Sequence, residues 1–369
     1  MILKGKGHIE GEPRSILLIQ LGDIGDVVLS LPCVRALREH FPQAAIMIAV
    51  RDKAAALFEG CSWVDGVIAI RESPHGLLAT LRHHGDFLRR LRSCRCELAM
   101  DLRTGTRGAI MAWLSGASQR LGFHARGETF WRNGLFTDLY LPEPVPKSHM
   151  AAYLQNFLKA YGIPVQHPVP ALPIAPDKKE AAQRFLQEAG VALEKPIVAV
   201  QPFSLWRYKE LADAKIVGLI RFMLQRYDLS VVVTGATGER ERAETLVRSC
   251  GANGVYNLAG KTSLEQLAGL LQSCALFVGL DSAGLHLAAA VGTPTVGIFG
   301  PSAAHCWAPR GEKHRVVQTN LPCVPCNAMG CGGSEKSRCL DMLTVEEIGA
   351  VVAHQLDAIF GSRQAVAVQ

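Results

Sequence analysis

The chain has 369 residues, a length typical of two ordinary domains, with the 49% hydrophobic and 20% charged content of a globular protein with a large core. Its most apolar window, residues 283–300, contains His286 and Pro294 and is interrupted by glycines, so no membrane-spanning helix is predicted. The first residues lack the apolar core of a signal peptide, which predicts a cytoplasmic protein, and the net charge of +6 is too modest for nucleic-acid binding.

The charge is distributed unevenly along the chain. Residues 1–175 contain 20 Lys and Arg against 15 Asp and Glu, whereas residues 176–369 contain 19 against 18. We therefore expect the N-terminal half to meet an acidic partner, either a phosphorylated substrate or a membrane surface. An ordinary solvated surface is the alternative.

Short apolar runs typical of buried strands alternate with amphipathic patterns typical of helices. Helical patterns include residues 32–41, 77–91 and 213–227. Val- and Ile-rich runs between helices predict parallel sheets built from right-handed crossovers. The predicted strands are SILLIQL (15–21), AIMIAV (45–50), GVIAI (66–70), ELAMDL (97–102), PIVAV (196–200), LSVVVTG (229–235), LFVGL (276–280) and TVGIF (295–299).

A break in this alternation predicts the domain boundary. Residues 162–180 contain five prolines, which favour extended backbone and disfavour helices and central strands. We place the boundary near 172–178, which gives domains of residues 1–175 and 176–369. The predicted fold class is α/β, with two doubly wound, Rossmann-like domains facing a cleft. The last helix, about residues 345–360, is a candidate to pack back on the first domain.

The turn IQLGDIGDVVLSLP, residues 19–32, carries two carboxylates between a buried strand and a helix. The carboxyl ends of strands in open α/β sheets bind ligands. The spacing is not that of the dinucleotide fingerprint, and the carboxylates Asp23 and Asp26 disfavour phosphate binding at this turn. Such a carboxylate suits abstraction of a proton from a hydroxyl group, while a helix N-cap is the structural alternative.

A second strand end is predicted to bind an anion. In VGLDSAGLHLAAAVG the strand stops at Asp281, and small residues open the helix that begins near Ser282. Exposed backbone N–H groups and the helix dipole favour a diphosphate at such a position. His286 lies one turn into the helix and is predicted to point to the same place. A capping Asp281 and an interior His286 are the alternatives.

Two further loops follow strands in the second half. QPFSLWRYKEL contains Ser204, Arg207 and Lys209, where a cation would neutralise phosphate charge without a metal. TGATGERERAET leads into a helix whose first turn holds Glu239, which either caps the helix or binds a ribose or sugar hydroxyl group.

Together these motifs closely resemble glycosyltransferase family 9, the bacterial heptosyltransferases of lipopolysaccharide core assembly. The matching stretches lie in the family's order over nearly the whole chain. They are ILLIQLGDIGDVVLSLPCVRALREHFP, DLRTGTRGAIMAWLSGASQRLGF, the Lys209 loop, LAGKTSLEQLAGLLQSCALFVGLDSAGLHLAAAVGTPTVGIFGPS and the late CL…LTVEEI segment.

The resemblance implies the GT-B fold and inverting, metal-independent transfer of L-glycero-D-manno-heptose from ADP-heptose, which is a substrate, so no cofactor is expected. It implies that Asp26, not Asp23, is the catalytic base, and that the donor lies on the C-terminal domain and a lipid-linked oligosaccharide acceptor on the N-terminal one. The donor-binding residues that the resemblance implies are Lys209, Glu239, Asp281 and His286. Ser204, Ser282, Ala283 and Gly284, from the same loops, complete the candidate donor-binding residues.

One position departs from the family pattern. The family has Asp-Ser/Thr-Gly where this chain has Asp281-Ser282-Ala283, with Gly284 one place later. Because alanine disfavours positive φ, either residue 283 is ordinary helix or Gly284 provides the close approach to a ligand.

The basic first half is predicted to hold the acceptor. Asp23, Arg103, Arg107, Arg120 and Arg126 are the candidate acceptor-binding residues. The arginines of the helix at 77–95 form either a solvated face or a peripheral contact with the anionic inner membrane.

Four late cysteines, Cys323, Cys326, Cys331 and Cys339, have a spacing that matches no standard metal site. Reduced structural cysteines are favoured over a metal cluster or disulfides. Alternative functions are a GT-B transferase for another nucleotide sugar or acceptor, a sugar-nucleotide epimerase, and a non-catalytic nucleotide-sugar-binding protein. A Rossmann oxidoreductase is disfavoured by the missing Gly-x-Gly-x-x-Gly pattern.

Overall fold

A computed structural model describes residues 1–71, 76–127, 130–142 and 148–366. The chain forms two compact units, Met1–Pro170 and Ala171–Gln369. Among the described residues, none of the helices has both the length and the apolar character needed to pass through a bilayer.

The first unit is built on a seven-stranded sheet with the order β1-β7-β6-β5-β2-β3-β4. All neighbouring strands are parallel except β1, which runs antiparallel to β7. The strands are β1 (Ile2–Lys4), β2 (Ser15–Gln20), β3 (Ala45–Arg51), β4 (Gly66–Ile70), β5 (Leu98–Asp101), β6 (Gln119–Phe123) and β7 (Asp138–Tyr140). The helices are α1 (Ile24–Leu29), α2 (Leu31–His40), α3 (Asp52–Ala55), α4 (Leu77–Ser93), α5 (Thr106–Leu114), α6 (Phe130–Gly134) and α7 (Met150–Ala160).

The central strand β2 is buried on both faces because residues 16–19 are all apolar. Leu17 and Ile19 pack with Leu91 of α4 and Ala109 of α5 in one core cluster. Helix α4 contacts α5, and α5 contacts α6, which places these three helices side by side in one layer.

The second unit is built on a six-stranded, fully parallel sheet with the order β10-β9-β8-β11-β12-β13. The strands are β8 (Ile197–Gln201), β9 (Ser230–Val233), β10 (Val255–Asn257), β11 (Leu276–Leu280), β12 (Thr295–Ile298) and β13 (His314–Val317). The helices are α8 (Pro176–Glu188), α9 (Asp213–Arg226), α10 (Arg240–Cys250), α11 (Leu264–Gln272), α12 (Ala283–Ala290), α13 (Ala304–Trp307), α14 (Arg338–Met342) and α15 (Val345–Val366).

The long helix α15 belongs to the core of the second unit. Ile348, Val352 and Leu356 are fully buried there with Ile216 and Ile220 of α9. A side chain at Gly349 would crowd the ring of Phe222, which shows how closely α15 approaches α9.

All eight predicted strands are confirmed, and so is the α/β class with two doubly wound, Rossmann-like units. Strands β1, β6, β7, β10 and β13 are additional. Several of them have only three residues or include charged residues, so they lack the continuous apolar run that identifies a strand buried on both faces.

Candidate active site

Each sheet has one point where the strand order reverses, and the predicted site residues concentrate there. The reversal lies between β2 and β5 in the first sheet and between β8 and β11 in the second. Ile19 pairs with Asp101 across the first junction, and Gln201 pairs with Gly279 across the second. Ligands of open α/β sheets bind outside the carboxyl ends of the strands at such switch points.

In the first unit, the turn after β2 holds Asp26 in a fixed position. Asp23 is the N-cap of α1, and its backbone N–H donates to Asp26 Oδ2 at 3.0 Å. Arg103, which follows β5, donates from Nη1 to the same oxygen at 2.7 Å. Among the described residues, no group donates a hydrogen bond to Oδ1, so this oxygen remains available to a substrate hydroxyl group.

Gly22 makes this contact possible. A Cβ atom at residue 22 would lie 2.5 Å from both Arg103 Nη1 and Asp26 Oδ2. Because real Cβ atoms essentially never approach so closely, any side chain at residue 22 would push the salt bridge apart. The glycine before the first carboxylate is therefore a packing requirement of the site.

The second carboxylate of the turn has different partners. Asp23 Oδ1 accepts from Lys53 Nζ at 2.5 Å and from Arg51 Nη1 at 3.2 Å. Burial acts to raise the pKa of Asp23, but Lys53, Arg51 and Arg103 outweigh it and lower the pKa below its ordinary value. Because its pKa is lowered, the Asp23 carboxylate is a weaker base than an ordinary aspartate.

A buried ion pair supports the loop that carries Arg103. Asp101 and Arg132 have fully buried side chains whose Oδ2 and Nη2 atoms lie 3.3 Å apart. Arg132 also donates to the carbonyl oxygens of Arg103 at 2.8 Å and Gly105 at 3.2 Å, while Asp101 Oδ1 accepts the Arg103 N–H. Burial raises the pKa of Asp101, against the opposing effect of Arg132, and lowers the pKa of Arg132. The backbone on both sides of Arg103 is therefore fixed.

The other predicted acceptor arginines lie in different places. Arg107 is exposed in the first turn of α5, and Arg126 is exposed three residues after β6. Arg120 lies near the amino end of β6, and its guanidinium donates to the carbonyl oxygens of Leu135 and Ala117 at 2.7 and 2.6 Å. The structure brings Arg103 to Asp26 and does not bring Arg120 to that edge of the sheet.

In the second unit, a salt bridge joins two of the predicted donor-binding residues. Lys209 follows β8 in a short 3₁₀ turn, and Asp281 follows β11 directly. Lys209 Nζ donates to Asp281 Oδ2 at 2.6 Å. An ammonium group has three donors, and one of them is used by this carboxylate. In the part of the chain that the structure describes, Asp281 is the one side-chain partner of Lys209, which leaves its remaining donors available to an anion.

Residues 282–286 begin helix α12. Ser282 is its N-cap in extended backbone, and Ala283 is its first residue, so position 283 is ordinary helix. A Cβ atom at residue 284 would lie 2.0 Å from Gln201 Oε1, while Gln201 Nε2 donates to Ser282 Oγ at 3.3 Å. Gly284 therefore makes room for the Gln201 side chain. His286 is a buried residue of the same helix.

The loop containing Ser204 is anchored by charged residues behind it. The Ser204 N–H donates to Glu210 Oε1 at 3.0 Å, and Arg242 Nη1 donates to Glu210 Oε2 at 2.5 Å. The Arg242 guanidinium also binds Asp213 and lies 5.0 Å from the ring centre of Phe203. These contacts fix the backbone between β8 and the Lys209 turn.

Glu239 follows β9, the strand beside β8, at the end of a 3₁₀ turn. Its Oε2 accepts the Ala236 N–H at 2.6 Å. Burial is the main cause that raises the pKa of Glu239, and the Glu210 carboxylate adds to it. Glu210 follows β8 and Glu239 follows β9, so both carboxylates lie at the carboxyl edge of the same sheet.

The late cysteines form no arrangement ready for a metal. Cys339 is buried, whereas Cys323, Cys326 and Cys331 are exposed, and all four are free thiols. The Arg338 N–H donates to Cys331 Sγ at 3.4 Å. Within the described ranges, no group of three or more His, Cys, Asp or Glu side chains is placed to hold a metal ion.

Sequence reasoning missed the supporting residues Asp101, Arg132, Gln201, Glu210 and Arg242. Only Asp101 carried a usable signal, since it is the next-to-last residue of the predicted strand ELAMDL, much as Asp281 directly follows the predicted strand LFVGL. The partners of a buried arginine such as Arg132 come from segments far apart in the chain and leave no local pattern.

Comparison with solved structures agrees with this architecture. Glycosyltransferase family 9 from Veillonella parvula DSM 2008 superposes with a TM-score of 0.79 at 18% identity, covering 96% of this chain and 99% of that one. The structure of E. coli ADP-heptose lps heptosyltransferase II gives 0.76 at 22% identity, covering 95% and 99%. The chain therefore has the GT-B fold, as predicted.

Sequence comparison identifies the family. Lipopolysaccharide heptosyltransferase 3 from Escherichia coli is 25% identical over 289 residues, which cover 77% of this chain and 83% of the relative. The sequence model of glycosyltransferase family 9 (heptosyltransferase) matches residues 85–336, well over half of the chain. The protein is thus a glycosyltransferase and belongs to glycosyltransferase family 9, the heptosyltransferase family.

Proposed function

We propose that this protein transfers L-glycero-D-manno-heptose from ADP-heptose to an inner-core acceptor of lipopolysaccharide, with inversion at the anomeric carbon. The family and the heptosyltransferase relatives support the sugar, the nucleotide and the acceptor class. The observation that carries the mechanism is the environment of Asp26, whose Oδ2 is held by Arg103 and by the Asp23 N–H while Oδ1 is open.

Asp26 is the general base of this proposal. As the acceptor oxygen attacks the anomeric carbon, its proton passes to Asp26 Oδ1, and the bond from that carbon to the β-phosphate oxygen breaks with its electron pair on ADP. Two donors on Oδ2 keep the carboxylate oriented during the step. Arg103 has further N–H groups for an acidic group of the acceptor, and Arg107 and Arg126 extend this positive surface.

Positive groups of the second unit bind the donor and stabilise the departing ADP. Lys209 offers its remaining ammonium donors to the diphosphate, and the first backbone N–H groups of α12, at Ala283 and Gly284, point toward the same negative charge. Ser204 and Ser282 supply hydroxyl groups, His286 supplies a ring nitrogen, and Glu239 binds a ribose hydroxyl group. This charge comes from the chain itself, so the proposed step needs no metal.

The decisive experiment compares Asp26→Asn with Asp23→Asn, a matched change in the same turn. Asp26→Asn should lower turnover of ADP-heptose with a heptose-accepting core oligosaccharide by roughly 10²- to 10⁴-fold, because a positioned base is lost. Calorimetric ADP binding should change by no more than a few-fold. Asp23→Asn should lose much less activity, because in this proposal Asp23 does not accept the proton and its Oδ1 is occupied by Lys53 and Arg51.

Several results would contradict the proposal. Equal losses of turnover in the two variants, or a parallel loss of ADP binding in Asp26→Asn, would remove Asp26 as the base. Tighter calorimetric binding of UDP-glucose or GDP-mannose than of ADP-heptose would replace the donor. Nucleotide-sugar binding without transfer to any core acceptor would indicate a non-catalytic binding protein.

A further inference from the structure

Helix α5 exposes apolar side chains where a surface helix normally carries polar ones. Its inner face is buried through Gly108, Ala109, Met111 and Ala112. Its outer face has Arg107, Ile110 and Trp113 at three-residue spacing, so the three side chains share one side of the helix. Ile110 is 39% exposed and Trp113 is 54% exposed.

The two helices that neighbour α5 also expose apolar side chains. Trp131 of α6 is 47% exposed, and the next residue, Arg132, donates to Gly105 at the start of α5. On the other side, Arg92 of α4 donates from Nε to the Leu114 carbonyl oxygen at 2.5 Å, next to Trp113. Leu88 lies one turn before Arg92 and is also exposed. We call Leu88, Ile110, Trp113 and Trp131 the aromatic face.

A strong positive charge borders the aromatic face. Residues 82–96 of α4 and its C-terminal end contain five arginines and a single acidic residue, Asp86. All five guanidinium-bearing residues are exposed, and within the described ranges only Arg89 forms an ion pair, with Asp86 at 3.0 Å. The arginines are Arg82, Arg89, Arg90, Arg92 and Arg95.

This combination matches the chemistry of an anionic bilayer surface. Tryptophan rings lie at the level of the lipid headgroups, aliphatic side chains enter the acyl boundary, and arginines attract acidic lipids. One end of the face adjoins the proposed acceptor site. Arg107 lies four residues after Arg103, and Trp113 lies about 9 Å further along α5, toward the amino ends of the strands.

We propose that the aromatic face, with the arginines of α4, docks the first unit on an anionic lipid surface. The choice of a bilayer as the partner rests on the proposed function, in which the acceptor is lipid-linked. Docking through α5 would bring the first turn of that helix to the lipid surface, and this turn directly follows the loop that carries Arg103.

Co-sedimentation of the full chain with vesicles tests this surface. Vesicles of phosphatidylcholine alone are compared with vesicles that also contain phosphatidylglycerol. Wild type should bind only the anionic vesicles. Ile110→Ser/Trp113→Ser should weaken this binding roughly tenfold or more, because both apolar side chains are lost from the interface. Arg82→Gln/Arg90→Gln should weaken binding to the anionic vesicles about fivefold for each charge removed. This difference from wild type should become smaller at high salt, because salt screens the attraction between arginine and acidic lipids.

Trp206→Ser in the second unit is the matched control, because Trp206 is 49% exposed and lies outside the aromatic face. It should bind anionic vesicles as wild type does. Equal binding to both vesicle types, or undiminished binding by the serine double variant, would overturn the proposal. The proposal would also be overturned if wild type were a dimer in solution and the serine double variant a monomer. A second copy of the chain would then occupy the face.

An activity readout separates this proposal from the proposed function. The serine double variant should transfer heptose normally to a delipidated core oligosaccharide and poorly to the same acceptor embedded in anionic vesicles. Equal transfer to both forms would overturn the docking role. Absence of transfer by wild type, with vesicle binding intact, would refute the proposed function and leave the docking surface supported.

Discussion

The two units place a salt bridge at the same point of their sheets but distribute its charges in opposite order. In the first unit the carboxylate Asp26 follows β2 and the cation Arg103 follows β5. In the second the cation Lys209 follows β8 and the carboxylate Asp281 follows β11. Each pair spans the junction where strand order reverses.

The two salt bridges differ in which of their groups a ligand can still contact. Arg103 is well exposed, and no described residue donates a hydrogen bond to Asp26 Oδ1, so the first junction presents both a cation and an accessible carboxylate oxygen. Asp281 is almost completely buried, and Lys209 is the more exposed partner, so the second junction presents mainly positive charge. One sheet edge thus suits a hydroxyl-bearing, acidic acceptor, and the other suits a diphosphate.

The largest expected effect is on the free energy of unfolding, when the arginine that supports each junction is replaced. Arg132→Met leaves Asp101 buried without its cation, and removal of one partner of a buried pair costs about 3–5 kcal/mol. Arg242→Met should cost less, about 1–3 kcal/mol, because that guanidinium and its partner Asp213 are partly exposed to solvent, although its other partner, Glu210, is nearly buried. Urea unfolding of the two variants and wild type measures both differences.

Arg132→Met/Asp101→Leu is the control for this comparison. It removes both charges, so most of the free energy of unfolding lost in Arg132→Met should return. If the single Arg132 variant were as stable as the Arg242 variant, the Asp101–Arg132 pair would not be the main support of the first junction.

The next effect concerns ligand binding and should separate the two cations. Lys209→Met should weaken ADP binding roughly 10- to 100-fold, because it removes a charged hydrogen bond to the diphosphate. Arg103→Met should leave ADP binding unchanged and raise the KM for the acceptor. Calorimetry with ADP and steady-state kinetics with varied acceptor make the two measurements.

The opposite pattern would reverse the assignment of donor and acceptor to the two units. A decrease in ADP affinity in both variants would mean that the diphosphate needs both cations.

Strand and turn positions were predictable from the sequence because they depend on local composition. Continuous apolar runs identified the central strands, and the carboxylates Asp26 and Asp281 could be placed at strand ends next to helix starts. The ordinary helical backbone at Ala283 resolves the departure from the family pattern, since Gly284 serves the packing of Gln201 instead.

Side-chain pairing was not predictable, because it depends on which distant segments the fold brings together. Arg103 and Arg120 looked equivalent as candidate acceptor residues, yet Arg103 binds Asp26 whereas Arg120 binds carbonyl groups near the opposite end of its strand. Arg132 gave no signal, although it holds the loop that presents Arg103.

The smallest expected effect is a difference in acid sensitivity between the units. In the second unit, burial and the neighbouring Lys313 and Arg315 lower the pKa of His314 from 6.5 to about 4. Because the native state then binds fewer protons than the unfolded state, stability is complete above pH 6.5 and is lost as pH falls toward 4. In the first unit, Asp23 has a lowered pKa, so its contribution is lost only below its ordinary value of 3.8.

Wild type should therefore lose about 1–2 kcal/mol of its free energy of unfolding as pH falls over this interval, and His314→Gln should not show this loss. The magnitude allows for partial exposure of the ring. Glutamine keeps a hydrogen-bonding group for Thr295 Oγ1, which lies 3.0 Å from His314 Nδ1. The free energy of unfolding in urea, measured near neutral pH and again just above the lowered pKa, should fall less in the variant. Asp23→Asn should not change the loss over that interval, because Asp23 titrates at lower pH. An equal loss in wild type and His314→Gln would show that the early acid sensitivity does not come from β13 of the second unit.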